Sequence, residues 1–459
     1  MADLGRLGRI HLIGVGGAGM SALAKLLHGW GSVVSGSDLR AGSVVASLAE
    51  LGIEVWSGHE PERLRGVDLV VASSAVPETD PEIGAAHAAG IPVWRRPRLL
   101  EEITSEIPTV GPTGTHGKTT STAMLVAALR RAGLDPSFAV GGDLIDLGTN
   151  AATGEGDLLV LEVDEAFGTF EQIELRGLVV TNVEPEHLEH FSSVDSMEDA
   201  FARVVRRVQG PVVVGIDDPG ARRLADRTGA AGFGFESSST WRITDLASEP
   251  SGVAFRLAGP SAEIEVRVPR PGRHTALNAA GVLALCGELG IDLEAAAAGL
   301  RSFHGVRRRF EVRGTVAGVT VVDDYAHHPT EVAVTVRTAL DAGHRRVWAV
   351  FQPHLYSRTQ RFQRDFGAAL APADRVVVTD VYGSREEPIP GVTGELVAAA
   401  AVRAGGQVEY VPRRSELAAH LAAGVEDGDL VLVMGAGDIT ITAGELLTLL
   451  ADEEHLDAG

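Results

Sequence analysis

The run Gly114-Thr115-His116-Gly117-Lys118-Thr119-Thr120 carries the plainest chemical signature in the sequence. Glycines this close together let backbone N–H groups converge on phosphate oxygens, and a helix that follows turns its positive end toward them. Lys118 can neutralise a transferring phosphoryl group, and the Thr119 hydroxyl can ligate Mg2+. The full phosphate-loop pattern has a further glycine at position 112, where this chain has Pro112. The remaining Gly-x-x-Gly-Lys-Thr, between an apolar strand and a helix pattern, predicts Mg-ATP binding by residues 114–120.

A second glycine-rich loop lies near the N-terminus. Gly14, Gly16, Gly17 and Gly19 follow an apolar strand, and Asp38 ends the next one, where a ribose-binding acid belongs. Alone, this pattern fits either a dinucleotide or a nucleotide diphosphate. Two nucleotide loops in one chain imply two phosphorylated ligands held separately. Other polar clusters fall at predicted strand ends. Glu162-Val163-Asp164-Glu165 can complete a Mg2+ shell. In Asn182-Val183-Glu184-Pro185-Glu186-His187, the histidine can ligate a second metal ion or orient a substrate. Asp323-Asp324-Tyr325-Ala326-His327-His328-Pro329 makes a poor core segment and a good site, and Phe351-Gln352-Pro353-His354 with Ser357-Arg358-Thr359 repeats that placement. Arg308-Arg309 can reach a γ-phosphate.

These groups need a scaffold that places them at strand ends, and the rest of the sequence supplies one. Strands over 10–14, 32–35, 69–73 and 92–94 alternate with helices, which implies a parallel sheet. A second α/β unit runs from a strand over 109–112 through a helix over 119–131 and strands over 158–163 and 178–182. Residues 238–268 alternate polar and apolar, as an appended hairpin would, and a helix over 274–289 closes the unit. Strands over 319–322, 346–351, 375–379, 407–410 and 430–434 make a third. The expectation is an α/β protein of three domains. Residues 1–108 form an N-terminal Rossmann-like domain, 109–313 a central P-loop ATPase-like domain, and 314–459 a C-terminal Rossmann-like α/β domain.

The formal charge of −22 argues against nucleic acid and anionic membranes as partners. Anionic ligands must then be held by local donors. The only lysines are Lys25 and Lys118. Cys286, the lone cysteine, sits in an Ala/Leu-rich run and reads as a core residue. The N-terminal residues lack a signal-peptide pattern, and no segment has 18 uninterrupted apolar residues, so a cytoplasmic protein with no membrane insertion is expected. An acidic surface fits a monomer or a homodimer.

The whole chain resembles the Mur ligases of bacterial cell-wall synthesis. The resemblance rests on GVGGAGMSALA (14–24), GTHGKTT (114–120), TNVEPEHLEH (181–190), GRHTALNAAG (272–281), DDYAHHPTE (323–331), FQPHLYSRT (351–359) and SREEPIPGVTGE (384–395). The last three point to the alanine-adding branch. The resemblance implies peptidoglycan precursor synthesis, with ATP, UDP-N-acetylmuramate and L-alanine as substrates and two Mg2+ ions. It implies that Gly14, Gly16, Gly17, Gly19, Asp38 and Ser73 hold the UDP-sugar rather than NAD, and that Lys118 binds the β- and γ-phosphates. Thr119 and Glu162 would hold Mg2+, with His187 on a second ion. Asn278 would contact adenine, and Arg309 and Asp324 the phosphates and ribose. Tyr325, His327 and Arg358 would face the acceptor carboxylate and the amino acid, His327 orienting or deprotonating its amine. Ala166, Phe167, Thr275 and Leu355 depart from the family pattern; at 355 some members carry Arg. A nicotinamide oxidoreductase leaves the loop at Lys118 without a role. A nucleotide-driven switch and a sibling ligase that adds a peptide or another amino acid to a UDP-muramyl substrate are the other readings.

Overall fold

The structure is a computed structural model that describes residues 7–39, 42–185, 191, 193–260, 262–384 and 386–457. By its internal contacts the chain divides into two compact units. One comprises Met1–Ala247, Ala254–Pro269 and Ala276–His304; the other comprises Ser248–Val253, Arg270–Thr275 and Gly305–Gly459.

The first unit contains two sheets. The smaller has the order Glu54–Ser57, Val33–Asp38, Arg9–Ile13, Leu69–Ala72, Val93–Arg95, and every pair is parallel. From Arg9–Ile13 the chain first builds outward on one side, then crosses to the other. That reversal opens a crevice at the strand's carboxyl end, where open α/β sheets take their ligands. The larger sheet has ten strands. At its middle, Thr109–Thr113 lies between Leu159–Leu161 and Gly177–Val180, parallel to both. All residues of these three strands are buried, as expected for a sheet covered on both faces. One edge ends in the antiparallel pair Ser137–Leu144 and Thr149–Ala152. The other carries Trp241–Glu249, Gly252–Ala258 and Glu263–Val268, where a hairpin was expected. Strand Glu263–Val268 alternates exposed and buried residues, the pattern of a sheet with one solvated face.

The two sheets share a core. One hydrophobic cluster runs from Leu12, Leu23 and Leu26 through Leu99 to Leu159, Phe170 and Phe201. Lys25, on helix Ala18–Gly29, adds polar ties by donating to Thr149 Oγ1 at 3.1 Å and Asn150 Oδ1 at 2.8 Å. Burial pushes its ammonium pKa down, partly offset by Asp143. Residues 1–108 and the segment after them therefore form one compact body. Cys286 is buried in this unit, as its surroundings in the sequence suggested.

The second unit is a six-stranded sheet with the order Glu311–Val316, Val319–Asp324, Asp429–Met434, Arg346–Phe351, Arg375–Val378, Val408–Tyr410. The first pair is antiparallel and the others are parallel. This unit takes up the chain at Gly305, ahead of the expected start at 314, because the edge strand Glu311–Val316 belongs to its sheet. Among the described residues, no helix is long and apolar enough to cross a membrane.

One buried carboxylate organises the small sheet. Glu82 is fully buried and takes hydrogen bonds from Ser37 Oγ (2.5 Å), Trp56 Nε1 (3.2 Å) and the Glu60 N–H (3.1 Å), and it meets His59 Nδ1 at 3.1 Å. His11, also fully buried, stacks on Trp56 and lies 3.5 Å from the same carboxylate. Burial alone would raise the Glu82 pKa, but the hydrogen bonds of His11, Ser37 and His59 outweigh it and hold the carboxyl at about 2. The folded value lies below the ordinary 4.5, so this group's stabilisation is present above that pH and lost as pH falls toward 2. Glu82→Ala is expected to cost about 3–5 kcal/mol at pH 7, read by denaturant unfolding, because it strands the groups around the carboxylate. In Glu82→Gln, the acid-side loss of stability is expected to shrink relative to wild type.

Candidate active site

Three neighbouring parallel strands of the large sheet each deliver one part of a site at their carboxyl ends. Thr109–Thr113 leads into the loop 114–117 and helix Lys118–Arg131. Gly114 and Gly117 have φ values of 124° and 82°, conformations open to glycine at little cost. A side chain at Gly114 would also collide with Thr181, and one at Gly117 would stand 2.7 Å from Asn278 Oδ1. Gly177–Val180 leads into Thr181–Glu184, which braces the loop from outside. Asn182 Oδ1 accepts from the His116 N–H (2.8 Å), and its Nδ2 donates to the His116 carbonyl (3.0 Å). Thr181 Oγ1 donates to the same carbonyl at 2.6 Å, and Thr115 Oγ1 exchanges hydrogen bonds with the backbone of Glu184.

Leu159–Leu161 delivers the acids. Glu162 Oε1 accepts from Thr119 Oγ1 at 3.1 Å, and its Oε2 accepts from the Gly141 N–H at 2.7 Å. These are hard oxygen donors beside a phosphate loop, the set that suits Mg2+. A Cβ on Gly141 would lie 2.7 Å from both carboxylate oxygens, so Gly141 is the cradle that aims them. Glu165, 2% exposed, accepts from Lys118 Nζ at 2.9 Å. Burial would lower the Lys118 pKa, but the charges of Glu165, Asp164 and Glu162 outweigh it and keep the ammonium protonated. His187, expected on a second metal ion, lies outside the described residues.

The small sheet presents the N-terminal loop at its switch point. Gly14 takes a φ of 81° and lies against Ser73, and both of its neighbouring strands help to close the turn. The Gly14 and Val15 N–H groups donate to the Ser37 carbonyl, and the Gly16 N–H donates to Asp38 Oδ2 at 2.9 Å. Gly17 precedes helix Ala18–Gly29 as its N-cap. Gly19 is spared a side chain for Arg96, whose guanidinium carbon lies 2.7 Å from where a Cβ would be. The Arg96 Nε is buried with no hydrogen-bond partner. A cavity of about 190 Å³ runs from Gly19 and Arg96 to Gly141, Glu162 and Asp164. It joins the end of the N-terminal glycine loop to the acids after Leu161.

In the second unit, polar groups again gather at the carboxyl ends of parallel strands. Tyr325 follows Val319–Asp324; its N–H donates to the Arg308 carbonyl at 2.7 Å, and the guanidinium carbons of Arg308 and Arg309 lie 4.9 and 5.1 Å from its ring centre. His327 packs edge-on against Tyr325 and His354, 5.2 and 6.0 Å away. His328 has a different job: it caps helix Pro329–Asp341 in a capping box with Glu331. Arg358 lies in the first turn of helix Tyr356–Leu370. Arg308, Phe310 and Leu355 all have φ between 49° and 69°, and strained backbone of this kind concentrates at functional sites. Asp324 accepts from the Phe310 and Ala326 N–H groups at 2.6 and 2.7 Å. Burial raises its carboxyl to about 6, despite the opposing pull of Arg309.

The structure thus gathers Lys118, Thr119, Glu162 and Asn278 at one place, Gly14, Gly16, Asp38 and Ser73 at another, and Tyr325 with His327 and Arg309 in the second unit. Sequence reasoning left Asn182, Gly141, Arg96 and Glu165 without roles of their own. Arg96 had a signal: a cationic pair, Arg95-Arg96, in an acidic chain at a predicted strand end.

Comparison with known proteins matches three successive stretches of the chain to one family. Residues 9–107 match "Mur ligase family, catalytic domain", 113–286 match "Mur ligase middle domain", and 308–437 match "Mur ligase, glutamate ligase domain". The chain is 45% identical to a UDP-N-acetylmuramate–L-alanine ligase of Mycolicibacterium vanbaalenii, covering 96% of each chain. It is 45% identical to one of Kineococcus radiotolerans, covering 97% of each. Among solved structures, UDP-N-acetylmuramate-alanine ligase of Thermotoga maritima aligns with a TM-score of 0.83 at 28% identity, over 98% of this chain and 100% of that one. A murein peptide ligase of Psychrobacter arcticus shares the fold, with a TM-score of 0.71 at 24% identity over 97% and 99% of the two chains.

Two expectations follow from the geometry. Gly141→Ala pushes the Glu162 carboxylate off its cradle, so it should raise the Mg2+ concentration needed for half-maximal activity by about tenfold, roughly one charge-assisted hydrogen bond's worth. An unchanged Mg2+ dependence would remove Gly141 from the site. Asp324 has a folded pKa above its ordinary 3.8, so ionising it costs the fold stability between about pH 4 and 6, and its charged form is complete only above 6. Activity should therefore show a one-proton acid limb near pH 6 in a profile of kcat/KM for ATP. A limb centred below pH 5 would show that the ionised form is not required.

Proposed function

The chain belongs to the Mur ligase family, and from that premise we infer that it is an ATP-dependent ligase joining L-alanine to the lactyl carboxylate of UDP-N-acetylmuramate. The relatives named above support the choice of substrates. The observation that carries the chemistry is the cavity joining Gly19 and Arg96 to Glu162 and Asp164. A sugar nucleotide held by its diphosphate at the first end brings its carboxylate toward the γ-phosphate at the other.

An amine does not displace oxide from a carboxylate at neutral pH, so the carboxylate must be activated. A lactyl carboxylate oxygen attacks the γ-phosphorus and ADP leaves. The amine of L-alanine then attacks the acyl carbon, phosphate leaves, and the amine gives up a proton. The first step brings two anions together. Lys118 meets the β- and γ-phosphates and offsets that repulsion. Mg2+ held by Thr119 and Glu162 would add shielding of the charge that develops in transfer, and His187 is our candidate for a second ion. The helix behind Gly17, with Arg96 above it, holds the diphosphate, Asp38 takes the ribose, and Gly14 and Ser73 leave room for both. Asn278, against Gly117, is placed for the adenine side. In the second unit we assign Arg309 and Asp324 to the nucleotide and Tyr325, His327 and Arg358 to the amino acid, with His327 receiving or orienting the amine proton. ATP and a UDP-sugar as substrates place the reaction in the cytoplasm.

The test is phosphate release from ATP in the presence of UDP-N-acetylmuramate, with single amino acids and with peptides as acceptors. L-alanine should stimulate release, and a peptide should not. Stimulation by a peptide alone would move the chain to the recycling branch of the family. Lys118→Ala should lower turnover by two to three decades, about 3–4 kcal/mol of transition-state stabilisation. It should also melt earlier, because it leaves Glu165 buried without its cation.

A further inference from the structure

The Lys118 ammonium has three hydrogens, and all three are engaged inside the protein. They go to the carbonyls of Gly114 at 2.7 Å and Thr115 at 3.2 Å, and to Glu165 Oε1 at 2.9 Å. A lysine that grips phosphate must give up part of this set. Glu165 is the anion in it and is almost fully buried, at 2% exposure. Asp164 stands further off, 4.0 Å from the same nitrogen, with a side chain 36% exposed and so more screened by water. The second oxygen of Glu165, Oε2, is buried with no hydrogen-bond partner. The carboxylate is held only on one side, and the chemistry proposed above gives it no work.

We propose that Glu165 is a positioning residue that latches Lys118 inside the nucleotide-free loop and thereby sets the affinity for ATP. The inference rests on the reading that the loop at Lys118 binds ATP. A buried carboxylate and a buried ammonium each cost free energy alone and offset one another as a pair. An incoming polyphosphate competes with Glu165 for the same cation. Its apparent affinity equals the intrinsic affinity scaled by the fraction of loops in which Lys118 is free. Burial pushes the Glu165 carboxyl up, against the pull of the Lys118 ammonium. The one-sided bonding of the carboxylate suits a contact that must open once per turnover.

The experiment measures the dissociation constant of Mg-ADP by calorimetry for wild type, Glu165→Gln and Glu165→Asp. Glutamine keeps the shape and removes the charge, and aspartate keeps the charge and shortens the reach by one methylene. If about nine loops in ten are latched, Glu165→Gln binds Mg-ADP about tenfold more tightly, and Glu165→Asp shifts the same way by less. A residue that merely supports the fold would weaken binding or lower the melting temperature without tightening anything. Unchanged or weaker binding by Glu165→Gln overturns the latch. If that variant fails to fold, as judged by its thermal transition, Glu165→Asp decides by the same criterion. Failure of wild type to bind Mg-ADP would overturn the ATP reading and the latch with it, whereas wild-type binding with no tightening in the variants overturns the latch alone.

Discussion

The close edge-to-edge approach of three parallel strands in the middle of the ten-stranded sheet sets the terms for the rest of the first unit. A side chain at Gly111 would run into the carbonyl of Leu161, and one at Gly114 into Thr181. Glycine at these positions lets the strands lie close together, so the phosphate loop, the acids after Leu161 and the brace at Thr181–Glu184 gather at one end of the sheet. Pro112 fits the same constraint. Its carbonyl accepts from the Val163 N–H, and in a strand the nitrogen faces the same side as the carbonyl. The donor it lacks would therefore face the neighbour that stops pairing at Leu161, where a ladder bond is most easily forgone.

Electrostatics works against the ligands globally and for them locally. A chain of net charge −22 repels polyphosphates at a distance. Attraction then has to come from donors within a few ångströms: the helix starts at Ala18 and Lys118, the guanidinium of Arg96 and the ammonium of Lys118. Acids hold cations in turn, as Glu165 holds Lys118. Carboxylates elsewhere in the chain depart from ordinary behaviour in opposite senses, Glu82 downward through its hydrogen bonds and Asp324 upward through burial. The first supports the fold around the N-terminal loop. The second costs the fold something and stands among the residues assigned to the reaction.

Much of this was readable in advance because it depends on local spacing. The glycine patterns at Gly14–Gly19 and Gly114–Gly117, and acids directly after apolar strands, mark strand ends without any tertiary information. Residues that act from far away in sequence were not readable. Gly141 cradles Glu162 from the strand Ser137–Leu144, whose alternation is interrupted by Gly141-Gly142 and so resembles a loop. Arg96 reaches Gly19 across the strand Leu69–Ala72, and Glu82 binds three strands through side chains. The shared core was hidden for a related reason: composition shows where elements end, whereas the cluster from Leu12 to Phe201 shows which faces bury one another. His328 resembled a reactive histidine in sequence and is a helix cap in structure, since neighbouring residues at a strand-to-helix turn point to different tasks.

The scarcity of lysine has a chemical consequence. An acyl phosphate reacts with any unprotonated amine that reaches it, and a protein rich in surface lysines would compete with the amino acid for its own intermediate. Here the only side-chain amines are Lys25, half-buried and tied to Thr149 and Asn150, and Lys118, closed in by two carbonyls and an acid. The remaining cations are guanidiniums, which stay protonated and are poor nucleophiles. The chain thus carries cations for its anionic ligands while offering almost no free amine to an activated acyl group, a form of self-protection written into composition.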